Sequence, residues 1–247
     1  MNIIAFIPSR YESTRFPGKP LAPIAGEPMI RHVFRCAASC PEISEVYVAT
    51  DDERIFQCVN NFGGKAIMTA KKHASGTDRI FEATQKLGMD EEDLIVNIQG
   101  DQPVFNPGII SEMIAPLVKD GDIPMGTLKH RITDKKEIEN TNIVKVVTDN
   151  DGFALYFSRH PIPFCRDQGS STGHYKHLGL YAYRRRFLAR FSRLPIGKLE
   201  AAEKLEQLRA LENGFKIMVV ETASDSIEVD TPEDIKRVED LIKRSSK

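Results

Sequence analysis

The chain is predicted to be a three-layer α/β/α protein built on a mainly parallel sheet, with an inserted antiparallel portion. Two observations predict this. Over the first half, apolar runs of strand length alternate with segments whose apolar residues recur at helical spacing, the signature of βα units. In the second half that alternation gives way to a hairpin signal around Asn150-Asp151-Gly152. The 247 residues suffice for a single domain, 1–247, with the antiparallel portion around 144–183. No stretch reads as a linker.

In chain order, Ile3–Ile7 is the first strand, stopped by Pro8. Pro28 opens a helix to about Cys40, with Ile30, Val33, Phe34 and Ala37 on one face. Val46–Thr50 is a strand running into Asp51-Asp52, and Glu53–Phe62 is a helix stopped by Gly63-Gly64. Lys65–Met68 is a short strand. Ser75 N-caps a helix to about Leu87. Leu94–Ile98 is a strongly apolar strand ending in Gln99-Gly100-Asp101, Pro107 opens another helix, and Met125–Leu128 is a further strand. Val144–Thr148 and Ala154–Phe157 form the hairpin, and His177–Tyr183 is a strand. Arg185–Leu194 and Lys198–Asn213 read as helices, the second closed by Gly214. Lys216–Glu221 is a strand. Thr231-Pro232-Glu233-Asp234 starts the last helix, with Thr at N-cap, Pro at N1 and an acid at N3.

Composition excludes several classes. The net charge of −1 argues against a general nucleic-acid binder, which needs a basic surface to displace counterions. The one dense basic cluster, Arg184-Arg185-Arg186, reads as a solvated helix start. No apolar run reaches the roughly 18 residues of a membrane span, and no signal-peptide pattern opens the chain. The four cysteines, Cys36, Cys40, Cys58 and Cys165, lack zinc-site spacing and read as free thiols.

The loop after the first strand carries Arg10, Arg15 and Lys19, interleaved with Ser9, Ser13 and Thr14. A buried strand that empties into a cationic loop suits phosphate, because ligands of open parallel sheets collect at strand carboxyl ends. The plainer alternative is an ordinary solvated basic loop. The dinucleotide fingerprint G-x-G-x-x-G is absent after this strand, and no P-loop occurs anywhere. Any phosphates must then be held by side chains, which points to nucleotidyl transfer rather than hydride or γ-phosphoryl transfer. Asp101 and Asp230 each follow an apolar stretch at an element end. Two such carboxylates can hold Mg²⁺ beside substrate phosphates. Alternatively, Asp101 opens a turn before Pro103 and Asp230 caps the last helix.

Taken together, several segments resemble one family: Ile7-Pro8-Ser9-Arg10, Pro17-Gly18-Lys19-Pro20-Leu21, Ser75-Gly76-Thr77-Asp78-Arg79, Asn97-Ile98-Gln99-Gly100-Asp101, Tyr156-Phe157-Ser158-Arg159, His177-Leu178-Gly179-Leu180-Tyr181, Leu205-Glu206-Gln207-Leu208-Arg209 and Val229-Asp230-Thr231-Pro232. In order and over nearly the whole chain, they are similar to the 3-deoxy-manno-octulosonate cytidylyltransferases (CMP-Kdo synthetases). The resemblance implies a nucleotidyltransferase fold, a cytoplasmic homodimer, Mg²⁺, and transfer of CMP from CTP to an acidic eight-carbon sugar for lipopolysaccharide synthesis, with no nucleic acid or membrane as partner. It implies that Arg10, Arg15 and Lys19 hold the triphosphate, with Ser9 and the Ser75, Gly76 and Arg79 segment on the nucleotide. It makes Lys19, Arg10, Asp101 and Asp230 catalytic, the two aspartates as metal ligands. Gln99, Arg159, Arg166, His177, Tyr181, Glu206 and Gln207 would surround the sugar acid. From the residues alone, Glu206 and Gln207 read as a solvent-facing helical pair, and His177 equally as a structural histidine.

Two positions depart from the family pattern. Gln102 stands where an acid usually follows the metal-binding aspartate, and Glu228 where glycine usually precedes the second one by two residues. This is either neutral exchange or a mark of specificity. The pattern is similar to a branch acting on 8-amino-Kdo, whose ammonium a carboxylate such as Glu228 could pair. A sialic-acid cytidylyltransferase and a non-catalytic nucleotide-binding regulatory protein on the same fold are the competing readings.

Overall fold

The structure, a computed structural model, describes residues 1–12, 16–166, 173–229 and 231–245, with side chains as far as 242. The first apolar run forms β1 (Ile3–Ser9), in which Ala5, Phe6 and Ile7 are wholly buried. Burial on both faces explains why the run does not alternate. A 3-10 turn at Lys19–Leu21 and a ribbon of β2 (Pro23–Ile24) and β3 (Glu27–Pro28) lead into α1 (Met29–Ala38). There follow β4 (Glu45–Thr50), α2 (Glu53–Asn61), β5 (Lys65–Met68), α3 (Gly76–Lys86) and β6 (Leu94–Asn97). Asp52 caps α2 by accepting from the Arg54 amide, and Ser75 caps α3 by accepting from the Asp78 amide. Such caps contribute about 1 kcal/mol each.

Next come α4 (Gly108–Lys119), β7 (Met125–Arg131), α5 (Lys135–Glu139), the hairpin of β8 (Lys145–Thr148) and β9 (Ala154–Ser158), and β10 (Tyr175–Arg184). The chain continues through α6 (Arg185–Phe191), α7 (Lys198–Glu203), α8 (Leu208–Glu212), β11 (Met218–Thr222) and α9 (Pro232–Ser245). The start of α9 is a capping box: the Asp234 carboxylate accepts from the Thr231 amide at 2.8 Å and from its hydroxyl at 3.0 Å.

These elements form two compact units. The first collects 1–111, 183–192 and the described residues from 226 onward; the second collects 112–182 and 193–225. In the first unit the parallel strands run in the order β6-β1-β4-β5. The chain steps one way from β1 to β4 to β5, then returns to the other side of β1 with β6. The order therefore reverses between β1 and β6, and their carboxyl ends flank a ligand crevice. Helix α9 joins this core, Val238 packing with Ile24, Met29 and Val229. In the second unit β11 lies parallel to β7, and β7 lies beside β10. β10 pairs antiparallel with β8, and β8 with β9, with a register shift between Val147 and Thr148.

One predicted helix is corrected. Lys198–Asn213 is not continuous: Lys204 ends α7 in a left-handed conformation (φ 55°, ψ 45°), and α8 begins only at Leu208. That conformation costs a non-glycine residue about 1–2 kcal/mol. The break is held by the Arg209 guanidinium, which donates to both oxygens of buried Glu200 at 2.7 and 2.5 Å. Apolar spacing continues across it through Leu205 and Leu208, both buried, so periodicity alone hides it. The arginine cluster also differs from a fully solvated helix start. Arg184 is buried and pairs with Glu92 at 3.5 Å, while Arg186 reaches the same carboxylate from an exposed position.

Candidate active site

The carboxyl ends of β1 and β6 bring together Ser9, Lys19 and Asp101 of the predicted phosphate and metal residues. β1 ends on Ser9, which is 3% exposed and whose hydroxyl has no hydrogen-bond partner among the described residues. Arg10 follows it, exposed. The loop turns back at Gly18, whose φ of 72° suits glycine and whose amide donates to Tyr11 O at 2.8 Å. Lys19 is thereby delivered to the tip of β6, where its ammonium donates to Asp101 Oδ2 at 2.8 Å and to Val229 O at 2.6 Å. Gly100 allows the close approach of the two strand ends, since a Cβ there would lie 3.1 Å from Ser9 Oγ and 3.2 Å from Pro8 O. The Val229 amide donates to Asp101 O at 2.8 Å, and Val104 bridges Ile227 in antiparallel sense. The chain leading to position 230 is thus anchored on Asp101 twice, through backbone and through Lys19. Arg15 and Asp230 themselves lie outside the described residues.

This arrangement suits a phosphate beside a hard cation. Lys19 places a positive charge at the crevice, and the buried Ser9 hydroxyl has no hydrogen-bond partner among the described residues. Asp101 keeps a partly exposed carboxylate at a strand tip, one oxygen of which is engaged by Lys19. Its chemistry fits Mg²⁺, which takes one or two carboxylates together with phosphate oxygens.

The Ser75 segment makes several contacts within the first unit. Ser75 Oγ is committed to the α3 cap at 3.1 Å, and a Cβ on Gly76 would press on Pro8 at 3.1 Å. The start of α3 is therefore seated against the end of β1. Arg79, a predicted nucleotide residue, is 1% exposed; it donates to Asp51 Oδ2 at 2.9 Å and Thr69 Oγ1 at 2.5 Å. It ties α3 to the ends of β4 and β5, and those partners take up its terminal nitrogens.

The two departures from the family pattern meet. Gln102 is wholly buried, and its side-chain amide donates to Glu228 Oε1 at 3.2 Å. Glu228 is exposed. Gln99, also in this unit, donates to Asn97 Oδ1 at 3.5 Å.

The remaining sugar residues lie in the second unit. The His177 ring sits 5.1 Å from Phe157 and 5.2 Å from Tyr181, centroid to centroid. Thr127 Oγ1 donates to Leu180 O at 2.6 Å, so its contact with His177 Nε2 at 2.9 Å is one it must accept. Nε2 therefore carries the proton, and Nδ1 is an acceptor. Burial pushes the imidazole down to about 3, so it is neutral at working pH. A neutral acceptor beside an aromatic ring suits a sugar hydroxyl.

Arg159, at the end of β9, donates from Nε to Glu203 O at 2.7 Å and from Nη1 to Thr141 O at 3.0 Å. Arg166 is exposed. Glu206 and Gln207 are not a helical solvent-facing pair: they lie in the turn between α7 and α8. Gln207 is 3% exposed, and its Nε2 has no partner among the described residues. A buried amide left in that state costs stability unless a ligand completes it. Glu206 faces Arg209 at 3.6 Å.

A family model described as cytidylyltransferase matches residues 4–217. The chain belongs to the cytidylyltransferase family. The match is corroborated along this cytidylyltransferase's length. It is 54% identical to a 3-deoxy-manno-octulosonate cytidylyltransferase of Syntrophus aciditrophicus, covering 98% of this chain and 97% of that one. It is 55% identical to an 8-amino-3,8-dideoxy-manno-octulosonate cytidylyltransferase of Shewanella amazonensis, covering 98% and 99%. A solved structure of a CMP:2-keto-3-deoxy-manno-octonic acid synthetase complexed with CTP superposes with a TM-score of 0.93 at 42% identity, over 99% of this chain and 100% of that one. A cytidylyltransferase from Leptospira borgpetersenii, at 16% identity and a TM-score of 0.66 over 99% and 87%, shares the fold.

Sequence reasoning missed three residues that the cytidylyltransferase uses to hold its candidate site. Thr127 sets the His177 tautomer from inside an apolar strand, Glu203 holds Arg159, and Lys145 sits buried behind it. No motif marks them. The one available signal was a charged or polar residue in a segment otherwise reading as buried strand, as at Lys145.

Proposed function

We propose that this cytidylyltransferase transfers CMP from CTP to the anomeric hydroxyl of 3-deoxy-manno-octulosonate, releasing pyrophosphate. The observation that carries the reading is the clasp at the β1/β6 crevice: Lys19 bound to Asp101 and Val229 O, beside the buried Ser9 hydroxyl, which has no partner among the described residues. The names of the relatives support the choice of nucleotide and sugar. Arg10, Arg15 and Lys19 hold the triphosphate and stabilise charge that grows on it during in-line attack at the α-phosphorus. Mg²⁺, when held by Asp101 and Asp230, offsets phosphate charge and makes the sugar hydroxyl more acidic. Arg159 and Arg166 grip the sugar carboxylate, while Gln99, His177, Tyr181, Glu206 and Gln207 take its hydroxyls. The enzyme works as a cytoplasmic homodimer in lipopolysaccharide precursor synthesis.

A second reading, the same transfer to 8-amino-3,8-dideoxy-manno-octulosonate, is favoured by one observation. Glu228 places an exposed carboxylate beside the buried Gln102 amide, and a carboxylate there can pair with a sugar ammonium. Relatives with either named substrate are similar at 54–55% identity, so identity does not choose between them.

The test is phosphorus NMR of a mixture of CTP, Mg²⁺ and the octulosonate with enzyme. A new CMP-sugar resonance and free pyrophosphate are expected. CTP binding by calorimetry with no product from either sugar would instead favour a non-catalytic nucleotide-binding protein.

A further inference from the structure

Lys145 has no exposed surface, and burial pushes its ammonium below the ordinary lysine range. Its Nζ donates to Ile143 O at 2.6 Å, Asn140 O at 3.0 Å and Arg159 O at 2.5 Å. A lysine ammonium has three donors, and all three end on carbonyls. Glu139 and Glu203 supply negative potential without a hydrogen bond to it. Hiding such a charge is costly, and an apolar side chain would fill the same space at less expense. What an apolar residue cannot do is hold three carbonyls, one of them belonging to Arg159.

Glu203 works from the other side. Its carboxylate accepts from the Arg159 amide at 2.9 Å and from Ser158 Oγ at 2.8 Å, while its carbonyl accepts from Arg159 Nε. The backbone of Arg159 is thus clamped at its N–H by a carboxylate and at its C=O by an ammonium. Its side chain is fixed through Nε and Nη1, and Nη2 has no hydrogen-bond partner among the described residues. A guanidinium held at two of its nitrogens, with the third left over, is prepared to donate to a carboxylate.

We propose that Lys145 and Glu203 are positioning residues that aim Arg159 at the carboxylate of the acceptor sugar. This rests on the reading that Arg159 grips that carboxylate. A lysine that merely staples the 140–145 turn would alter stability without altering preference for an acidic acceptor.

The experiment compares kcat/KM for the sugar acid and for its carboxamide, in wild type, Lys145→Met, Glu203→Gln and Arg159→Ala, with melting temperatures recorded alongside. The expected result is that the preference for the acid falls about tenfold or more in Lys145→Met and Glu203→Gln, the size of a lost charge-assisted hydrogen bond, with KM for CTP near wild type. If Lys145→Met does not fold, Glu203→Gln decides alone. Arg159→Ala separates the two claims. Loss of the preference in Arg159→Ala but its retention in the folded positioning variants overturns the inference alone. Retention in Arg159→Ala overturns the reading of Arg159 beneath it.

Discussion

The side-chain amide of Gln102 donates to the carboxylate of Glu228 across 126 residues of sequence. Both positions differ from the pattern that the resemblance implies, which would place an acid at 102 and a glycine at 228, and the two differences are complementary. The neutral amide stands at the buried position and the acid at its exposed partner, one hydrogen bond away. Two carboxylates at this separation would repel, and the buried one would be held protonated.

The pair should therefore behave as a unit. Gln102→Glu is expected to destabilise by about 1–3 kcal/mol at neutral pH, the cost of a buried polar group facing the wrong partner. Adding Glu228→Gly should recover most of that loss. A double-mutant cycle by urea denaturation measures the coupling, and additive effects would separate the two residues.

Arg79 should matter for stability. Arg79→Met strands the mostly buried Asp51 carboxylate and removes the donor to Thr69. A loss of about 3–5 kcal/mol is expected from breaking one side of a buried pair. Denaturant midpoints check this; a change below 1 kcal/mol, well short of that range, would contradict the supporting role.

His177 gives a pH signature. Its imidazole moves from 6.5 to about 3 on folding because burial disfavours the charged form. Between those values the unfolded chain binds a proton that the folded chain does not, so this contribution is complete above 6.5 and is lost as pH falls toward 3. His177→Asn removes the dependence. The stability gap between wild type and variant should narrow by up to about 2 kcal/mol from pH 7.5 to pH 5. A constant gap would mean that the imidazole does not stay neutral.

Much of this was legible in the sequence, for local reasons. The capping box at Thr231 and Asp234, the Ser75 cap and the apolar strand before Asp101 are short-range signals, and each stands where it was predicted. Lys19, Asp101 and Ser9 could be named because strand ends in parallel sheets face ligands. The rest depends on contacts that no local pattern carries. Lys204 adopts a positive φ without a glycine to announce it, and that turn buries Gln207. The resemblance implies Arg79 on the nucleotide, and no local pattern announces that its guanidinium meets Asp51 at the end of another strand. Thr127 and Glu203 become informative only when β7 and α7 bring them to His177 and Arg159.

The clasp between Lys19 and Asp101 makes a kinetic prediction. Asp101→Asn should keep the melting temperature close to wild type and lose turnover by at least about a hundredfold, as for removal of one electrostatic stabiliser. Lys19→Ala should lower kcat while leaving KM for the sugar near wild type. Steady-state kinetics at saturating CTP check both, and near-normal turnover in either variant would remove that residue from the chemistry.

The most direct measurement is the rate of pyrophosphate release from CTP and Mg²⁺, with 3-deoxy-manno-octulosonate and its 8-amino analogue assayed side by side. Release that depends on the acidic sugar is expected, the favoured acceptor deciding whether Glu228 is a specificity residue. Release that is absent with both sugars, or that proceeds equally without any sugar, would contradict the proposed transfer.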